Sequence, residues 1–456
     1  MERDIIQLFI EWKNNKNHKP LLLRGARQVG KTYAVEQFAK KHFTNYITLN
    51  LEENPELKEL FKNRNPQAIL DELSVIYNTD VEPGKTLLFI DEIQNCPEAI
   101  TQLRYFHEKL PQLHLIAAGS LLDHTLNELK LPMPVGRIEF CHMYPMSFHE
   151  FLKALGEVKM LDYIKNFSMQ KQISEAVHKR MLDLLRYYFF IGGMPEAVNT
   201  YVETKKLTEI EKLHSNILTS FRYDFAKYGT RGQQQHLTTV LKYTGQNPCV
   251  KIKYVNMDRD NRSTVLKEAI RKLELSKIIT RVRHSNAANI PLSRHQNDEI
   301  YKTLFLDIGL SNSINRIQLT DPLKLLNIHE GIMAEQFAGQ ELLHLQPAYA
   351  EPELFYWLRE EKNADAEVDF LFQKNNTIYP IEIKSGRTGS LKSMHVYLFE
   401  KKLTTGIRFN ADYPSIGTFN ARVRAGSKSG ELNFTLISLP LYLISQLPRI
   451  IDETGL

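Results

Sequence analysis

Leu21-Leu22-Leu23-Arg24-Gly25-Ala26-Arg27-Gln28-Val29-Gly30-Lys31-Thr32 is the stretch on which the reading of this chain turns. A short apolar run enters a GxxxxGKT pattern directly, and helical spacing follows from Tyr33 to Lys41, which is the strand, loop and helix order of a phosphate-binding loop. Gly25 and Gly30 let the backbone wrap an anion. The amides of Ala26, Arg27, Gln28 and Val29 can then point inward, and the helix N-terminus adds its positive end. Lys31 is expected to reach the β and γ phosphates of ATP, and the Thr32 hydroxyl to ligate magnesium.

Leu87-Leu88-Phe89-Ile90-Asp91-Glu92, about 60 residues further on, is an apolar strand ending in two carboxylates. Parallel strands carry their sites at their carboxyl ends, so Asp91 is expected beside the magnesium and Glu92 beside the γ-phosphate. Asp91 would hold the metal through water, since magnesium dehydrates reluctantly. Glu92 would activate the attacking water as a general base. Leu115 to Ser120 is a third apolar strand with a polar end; Ser120 would sense the γ-phosphate, hold the water, or simply cap a helix.

The strand-like runs Pro20–Leu23, Tyr46–Leu49, Thr86–Ile90, Leu113–Ala118 and Ile138–His142 alternate with amphipathic stretches. That is an α/β pattern with a parallel sheet. With 456 residues the chain is expected to hold several domains. We divide it into a phosphate-loop core over 1–150, a helical lid or connector over 151–230, a winged helix-turn-helix over 231–325, and a second α/β unit over 326–456. The hydrophobic share of 43% and charged share of 24% exclude disordered and fibrous classes. No run of about 18 apolar residues appears, and Met1-Glu2-Arg3-Asp4 lacks a signal-peptide core, so a cytoplasmic protein with no membrane partner is expected. Cys96, Cys141 and Cys249 fit neither a disulfide framework nor a zinc pattern, and are read as inert thiols.

Arg27 to Thr32, Ile90-Asp91-Glu92-Ile93-Gln94, Gly119-Ser120, Gly136-Arg137, Tyr144 to Phe151 and Ile191-Gly192-Gly193-Met194-Pro195-Glu196 together resemble the AAA-like archaeal and bacterial P-loop ATPases. The resemblance covers essentially the whole chain. It implies ATP hydrolysis, makes Arg27 a phosphate-side contact, and makes Arg137 an arginine sensor or finger for transition-state charge. Oligomerisation is compatible with it.

Residues 251–302 hold 12 Lys and Arg against 6 Asp and Glu, an excess of six where the whole chain carries +5. Arg262 to Leu273 reads as an amphipathic helix with Val265, Leu266, Ala269, Ile270 and Leu273 inward. Arg262, Lys267, Arg271 and Lys272 lie outward, and Ser263 and Thr264 stand where a recognition helix meets DNA. Arg281, Arg283 and Arg294 would meet backbone phosphates from a wing. The other reading is a winged helix used as a protein contact, with a solvated basic face.

In the last unit, Glu367–Gln373 and Thr377–Lys384 flank Asn375-Asn376, a two-residue hairpin turn that pairs 374 with 377. Asp369 then lies opposite Glu382, with Lys384 on the same face. Facing carboxylates repel unless something cationic lies between them, and a divalent metal serves. The helix at Gly331–Ala338 offers Glu335. Helix-Glu, strand-Asp and Glu-x-Lys resemble the PD-(D/E)XK restriction-endonuclease-like fold. That resemblance implies a second Mg²⁺ or Mn²⁺ on Asp369, Glu382 and Glu335, with Lys384 assisting water or the phosphate. A solvent-facing hairpin of ion pairs, or a nuclease-like fold without activity, is the other reading.

Two functions follow. One is a Mg-ATP hydrolase coupled to binding or processing of double-stranded DNA. The other is a nucleotide-controlled switch whose winged-helix and inactive nuclease-like domains bind protein partners.

Overall fold

Strands buried on both faces need apolar side chains at every position, and this is why the central runs Leu21–Leu23, Leu87–Ile90 and Leu115–Ala118 do not alternate. The computed structural model describes residues 1–129, 136–228, 230–316, 330–359, 366–384, 386 and 390–455. Five of its strands, β1 (Leu21–Arg24), β2 (Asn45–Asn50), β3 (Thr86–Asp91), β4 (His114–Gly119) and β5 (Glu139–His142), form one sheet in the order β2-β3-β4-β1-β5. All of its pairs are parallel. β3 and β4 are buried throughout.

Parallel neighbours require crossovers, and the helices Lys31–His42, Pro66–Tyr77 and Pro97–Lys109 supply cover on the way. Leu22, Ile47, Leu88, Ile90, Leu103, Phe106 and Leu115 meet in the core they enclose. With every strand running one way, the loops after β1, β3 and β4 emerge at one edge. The α/β reading with a parallel sheet therefore holds for this part of the chain.

The chain divides into two compact units: Met1–Met146 with Arg271–Ile278 and Pro347–Glu351, and Ser147–Ile270 with Ile279–Gln346 and Pro352–Leu456. The segment expected to be a lid or connector is helical, with helices at Phe148–Ala154, Val158–Lys165, Glu175–Ile191, Pro195–Thr204 and Leu207–Asp224. It falls in the second unit.

The Gly192-Gly193 turn of that segment has a physical cause. The fully buried Asp307 accepts hydrogen bonds from the Gly193 N–H at 2.6 Å and the Leu310 N–H at 3.0 Å. A Cβ on Gly192 would collide with that carboxylate, and the residue sits at φ 71. Burial pushes the Asp307 carboxyl up to about 6 against the backbone donors that hold it down.

The second unit carries an eight-stranded mixed sheet of β6 (Ile279–Ser285), β7 (Gln296–Phe305), β8 (Leu354–Leu358), β9 (Glu367–Lys374), β10 (Thr377–Ile383), β11 (Thr405–Asn410), β12 (Ser415–Ala425) and β13 (Lys428–Pro440). Its order is β12-β13-β11-β10-β9-β8-β6-β7. The two strands read as a wing are therefore not a free hairpin. Val282, Arg283 and His284 of β6 pair in parallel with Leu354, Phe355 and Tyr356 of β8, so β6 and β7 extend the C-terminal sheet. Local periodicity identified both strands but could not reveal a partner some 70 residues away. The boundary at 325/326, and the helix start expected near Leu326, lie outside the described residues.

The β9–β10 hairpin has the register that its turn implied. Lys374 faces Thr377, Phe370 faces Ile381, and Asn375 and Asn376 both have positive φ. The helix expected from Arg262 spans Ser263–Leu275. Its Leu266, Ala269, Ile270 and Leu273 are buried, but Val265 is exposed and does not belong to its inner face. The three cysteines are free and buried. Among the described residues, no helix is long and apolar enough to cross a membrane.

Candidate nucleotide site and carboxylate cluster

The loop after β1 is shaped by backbone that few residues tolerate. Gly25 has φ 156, and a Cβ there would strike the Met143 carbonyl; Gly30 at φ 88 opens the helix Lys31–His42. Buried Arg3 braces the loop from outside, donating to the carbonyls of Val29 and Tyr144, each at 2.7 Å. Arg3 was not among the expected site residues, because a contact spanning 26 positions leaves no local pattern.

Lys31 Nζ donates to the carbonyls of Gly25 at 2.9 Å and Ala26 at 2.8 Å, and is buried. Burial lowers its pKa to about 8 despite the nearby Glu92 and Asp91 carboxylates, with Arg27 lowering it further. Bound phosphates would stabilise the charged form, so binding above pH 8 must take up a proton. Nucleotide affinity should accordingly weaken as pH rises past 8, by at most about tenfold per unit while the bound lysine stays charged. Calorimetric titration at pH 7.5, 8.5 and 9.5 checks this, and a flat profile would count against it.

The Thr32 hydroxyl donates to Asp91 Oδ2 at 2.6 Å, joining the loop to the end of β3. Asp91 Oδ1 accepts the Glu92 N–H at 2.9 Å. Burial pushes the Asp91 carboxyl up, and the Thr32 hydroxyl opposes it. A hydroxyl and a carboxylate side by side are hard oxygen donors that fit magnesium, with water completing the shell.

Glu92 stands in the left-handed region at φ 50, a conformation rare for a residue other than glycine. Its Oε2 accepts from Ser120 Oγ at 3.2 Å and also from the Gln94 amide. Ser120 thus lies on the carboxylate of Glu92, where β4 ends. Gln94 joins the site although no role had been assigned to it. Gly119 makes room for it, since a Cβ there would collide with the Gln94 amide oxygen. The available signal was a glycine immediately before the polar end of an otherwise apolar strand.

Two arginines read as phosphate-side groups are ion-paired to carboxylates in this structure. Arg27 Nη2 lies 3.2 Å from Glu52 Oε2 in a solvent-facing pair. Arg137 precedes β5, whose Glu139 faces Leu21 at the start of β1, so it lies at the sheet edge opposite the phosphate loop. Four strand residues separate the two edges by about 13 Å. There Arg137 Nε meets Glu108 Oε1 at 3.0 Å. It is held there in an ion pair at the edge of the sheet.

The basic stretch is partly neutralised. Lys267 pairs with Glu299 at 2.6 Å and Arg283 with Asp298 at 3.3 Å, while Arg281 lies 4.8 Å from the Tyr301 ring centroid. Arg271 bonds the Asn127 side chain. Arg262 and Arg294 are exposed.

In the second unit the expected acids do gather, but around a cation that the sequence reading missed. Lys302 of β7, 1% exposed, places Nζ against Glu367 and 3.8 Å from Glu335 Oε2. Asp369 Oδ2 accepts the Ile383 N–H at 2.7 Å, and Lys384 Nζ donates to Glu382 Oε1 at 2.6 Å. Burial, reinforced by neighbouring Asp369, pushes Glu335 up to about 8 and Glu382 up to about 7. Burial would lower the Lys302 ammonium, but Glu335, Glu367 and Asp369 outweigh it and hold the group well above its ordinary value. Among the described residues, no three His, Cys, Asp or Glu side chains are arranged to hold a metal ion. The second divalent metal expected here thus lacks a ready ligand set.

A family model described as an AAA domain matches residues 17–152. Two more, described as domains of unknown function, match 182–321 and 330–432. An uncharacterized protein of Methanocaldococcus jannaschii is 27% identical over 181 residues, 39% of this chain and 36% of the relative; the match thus spans about a third of that protein. Among solved structures, the Walker-type ATPase of Pyrococcus abyssi aligns with a TM-score of 0.43 at 14% identity, over 69% of this chain and 96% of its own. The ORC2 protein of Aeropyrum pernix aligns with a TM-score of 0.35 at 11% identity, over 68% and 91%. The parallel sheet, the loop after β1 and the acids after β3 agree with the AAA-domain match: residues 17–152 have the fold of an AAA-type P-loop ATPase.

Proposed function

We propose that the chain hydrolyses Mg-ATP with Glu92 as general base, and that turnover serves contact with double-stranded DNA. The observation that carries the hydrolytic part is the seat of Glu92, whose carboxylate is held by Gln94 and Ser120 next to the Thr32–Asp91 pair. A carboxylate fixed by two donors keeps its direction while a water is polarised, and that is what general-base geometry requires. Lys31 and the loop amides hold phosphate; Thr32 and Asp91 would hold magnesium, which supplies charge neutralisation on the phosphate oxygens. Arg137, paired with Glu108 at the far edge, is left with a role only toward a neighbouring copy or in the surface itself.

The DNA part rests on the basic excess of 251–302. Since Glu299 and Asp298 already engage Lys267 and Arg283, few phosphates remain to be met, by residues such as Arg262 and Arg294. Duplex binding should then fall with salt at a log–log slope of about −2 to −3, as for two or three neutralised phosphates. Phosphate release measured with Mg-ATP, with and without duplex DNA across a salt series, tests both parts. Hydrolysis without any response to DNA would leave the ATPase and favour the protein-binding switch. No hydrolysis under any condition would remove the catalytic reading.

A further inference from the structure

We propose that Lys302 is the resident cation of the carboxylate cluster in the second unit, and that while seated there it keeps a divalent metal out. The cluster brings four carboxylates, Glu335, Glu367, Asp369 and Glu382, together with two ammonium groups, Lys302 and Lys384. Such a concentration of buried carboxylates is relieved by protonation, by a cation, or by both. Lys302 meets it from β7, at the end of the sheet order, so the counter-charge comes from outside the helix and hairpin that carry the acids.

Its seat is built. The side chain is 1% exposed, Nζ lies against Glu367 Oε1 and 3.8 Å from Glu335 Oε2, and the Tyr356 ring centroid is 4.9 Å away. An ammonium beside carboxylates and over an aromatic face is stabilised by both. Several oxygens of the cluster are engaged: Asp369 Oδ2 accepts the Ile383 N–H, Glu382 Oε1 accepts from Lys384, and Glu367 and Glu335 face Lys302 in ion pairs. Glu382 Oε2 is buried with no protein hydrogen-bond partner. That atom needs only a single water to satisfy it. A divalent ion would have to expel Lys302 first, leaving a buried ammonium without partners, which is costly.

The proposal does not depend on the ATPase reading. It is tested by titrating Mn²⁺ into the nucleotide-free full-length chain and counting bound ion by electron paramagnetic resonance. The wild-type isotherm should be unchanged by Asp369→Asn. Lys302→Met should add one Mn²⁺ per chain, bound at least about tenfold more tightly than any wild-type site, and the addition should vanish in Lys302→Met combined with Asp369→Asn. A wild-type Mn²⁺ site lost on Asp369→Asn would overturn the proposal, and so would a folded Lys302→Met chain that gains no ion. Should Lys302→Met fail to fold, the wild-type and Asp369→Asn comparison still decides whether a metal occupies the cluster.

Discussion

Glu92→Gln should bind Mg-ATP as the wild type does and release phosphate at least about 10²-fold more slowly. The substitution preserves size and the possibility of accepting from Gln94 and Ser120 through the amide oxygen, so the loop after β3 should keep its form. What is lost is the ability to take a proton from water as it attacks. Because that proton transfer belongs to the transition state, the loss should appear in kcat and leave nucleotide affinity unchanged. Phosphate release and nucleotide titration on the same preparation check the two halves separately. A Glu92→Gln chain that turns over at the wild-type rate would end the general-base assignment, and one that no longer binds would show that the residue shapes the loop.

Lys31→Ala should lose nucleotide binding itself, by roughly 10²-fold or more, since a charge-assisted phosphate contact contributes about 1.5–3 kcal/mol and this side chain is expected to make more than one. Its fold should survive. The wild-type ammonium is buried against the carbonyls of Gly25 and Ala26, and burial already disfavours its charge, so removing it relieves a desolvation cost while freeing two acceptors to water. Fluorescent-nucleotide titration together with a melting curve distinguishes the cases. Unchanged affinity would mean that the loop amides alone hold the phosphates. A collapsed melting temperature would mean that the lysine is chiefly a structural tie.

How far the sequence could be read differs between the two units. In the first, the loop and the acidic end of β3 were legible because each is a local pattern with a local cause. GxxxxGKT needs left-handed backbone at Gly30 and close approach at Gly25, and an apolar strand ending in Asp-Glu needs a buried parallel neighbour. The hairpin at Asn375-Asn376 was legible for the same reason, since two residues of positive φ determine the pairing of 374 with 377. For Arg137 the motif states only that the residue is present, whereas strand direction states at which edge it lies.

The α/β strands, the glycine loop that leads into Lys31 and Thr32, and the strand that ends in Asp91 and Glu92 were each legible from patterns within a dozen residues. Tertiary structure alone decided that Gln94 and Ser120 converge on Glu92, that Arg3 braces the loop, that β6 and β7 join the C-terminal sheet, and that Lys302 sits among Glu335 and Glu367. The physical reason is common to them. Backbone conformation and burial pattern are set by neighbours along the chain, but the partner of a buried charge or a sheet edge is whichever group the packing brings within reach, and that group can be far away in sequence.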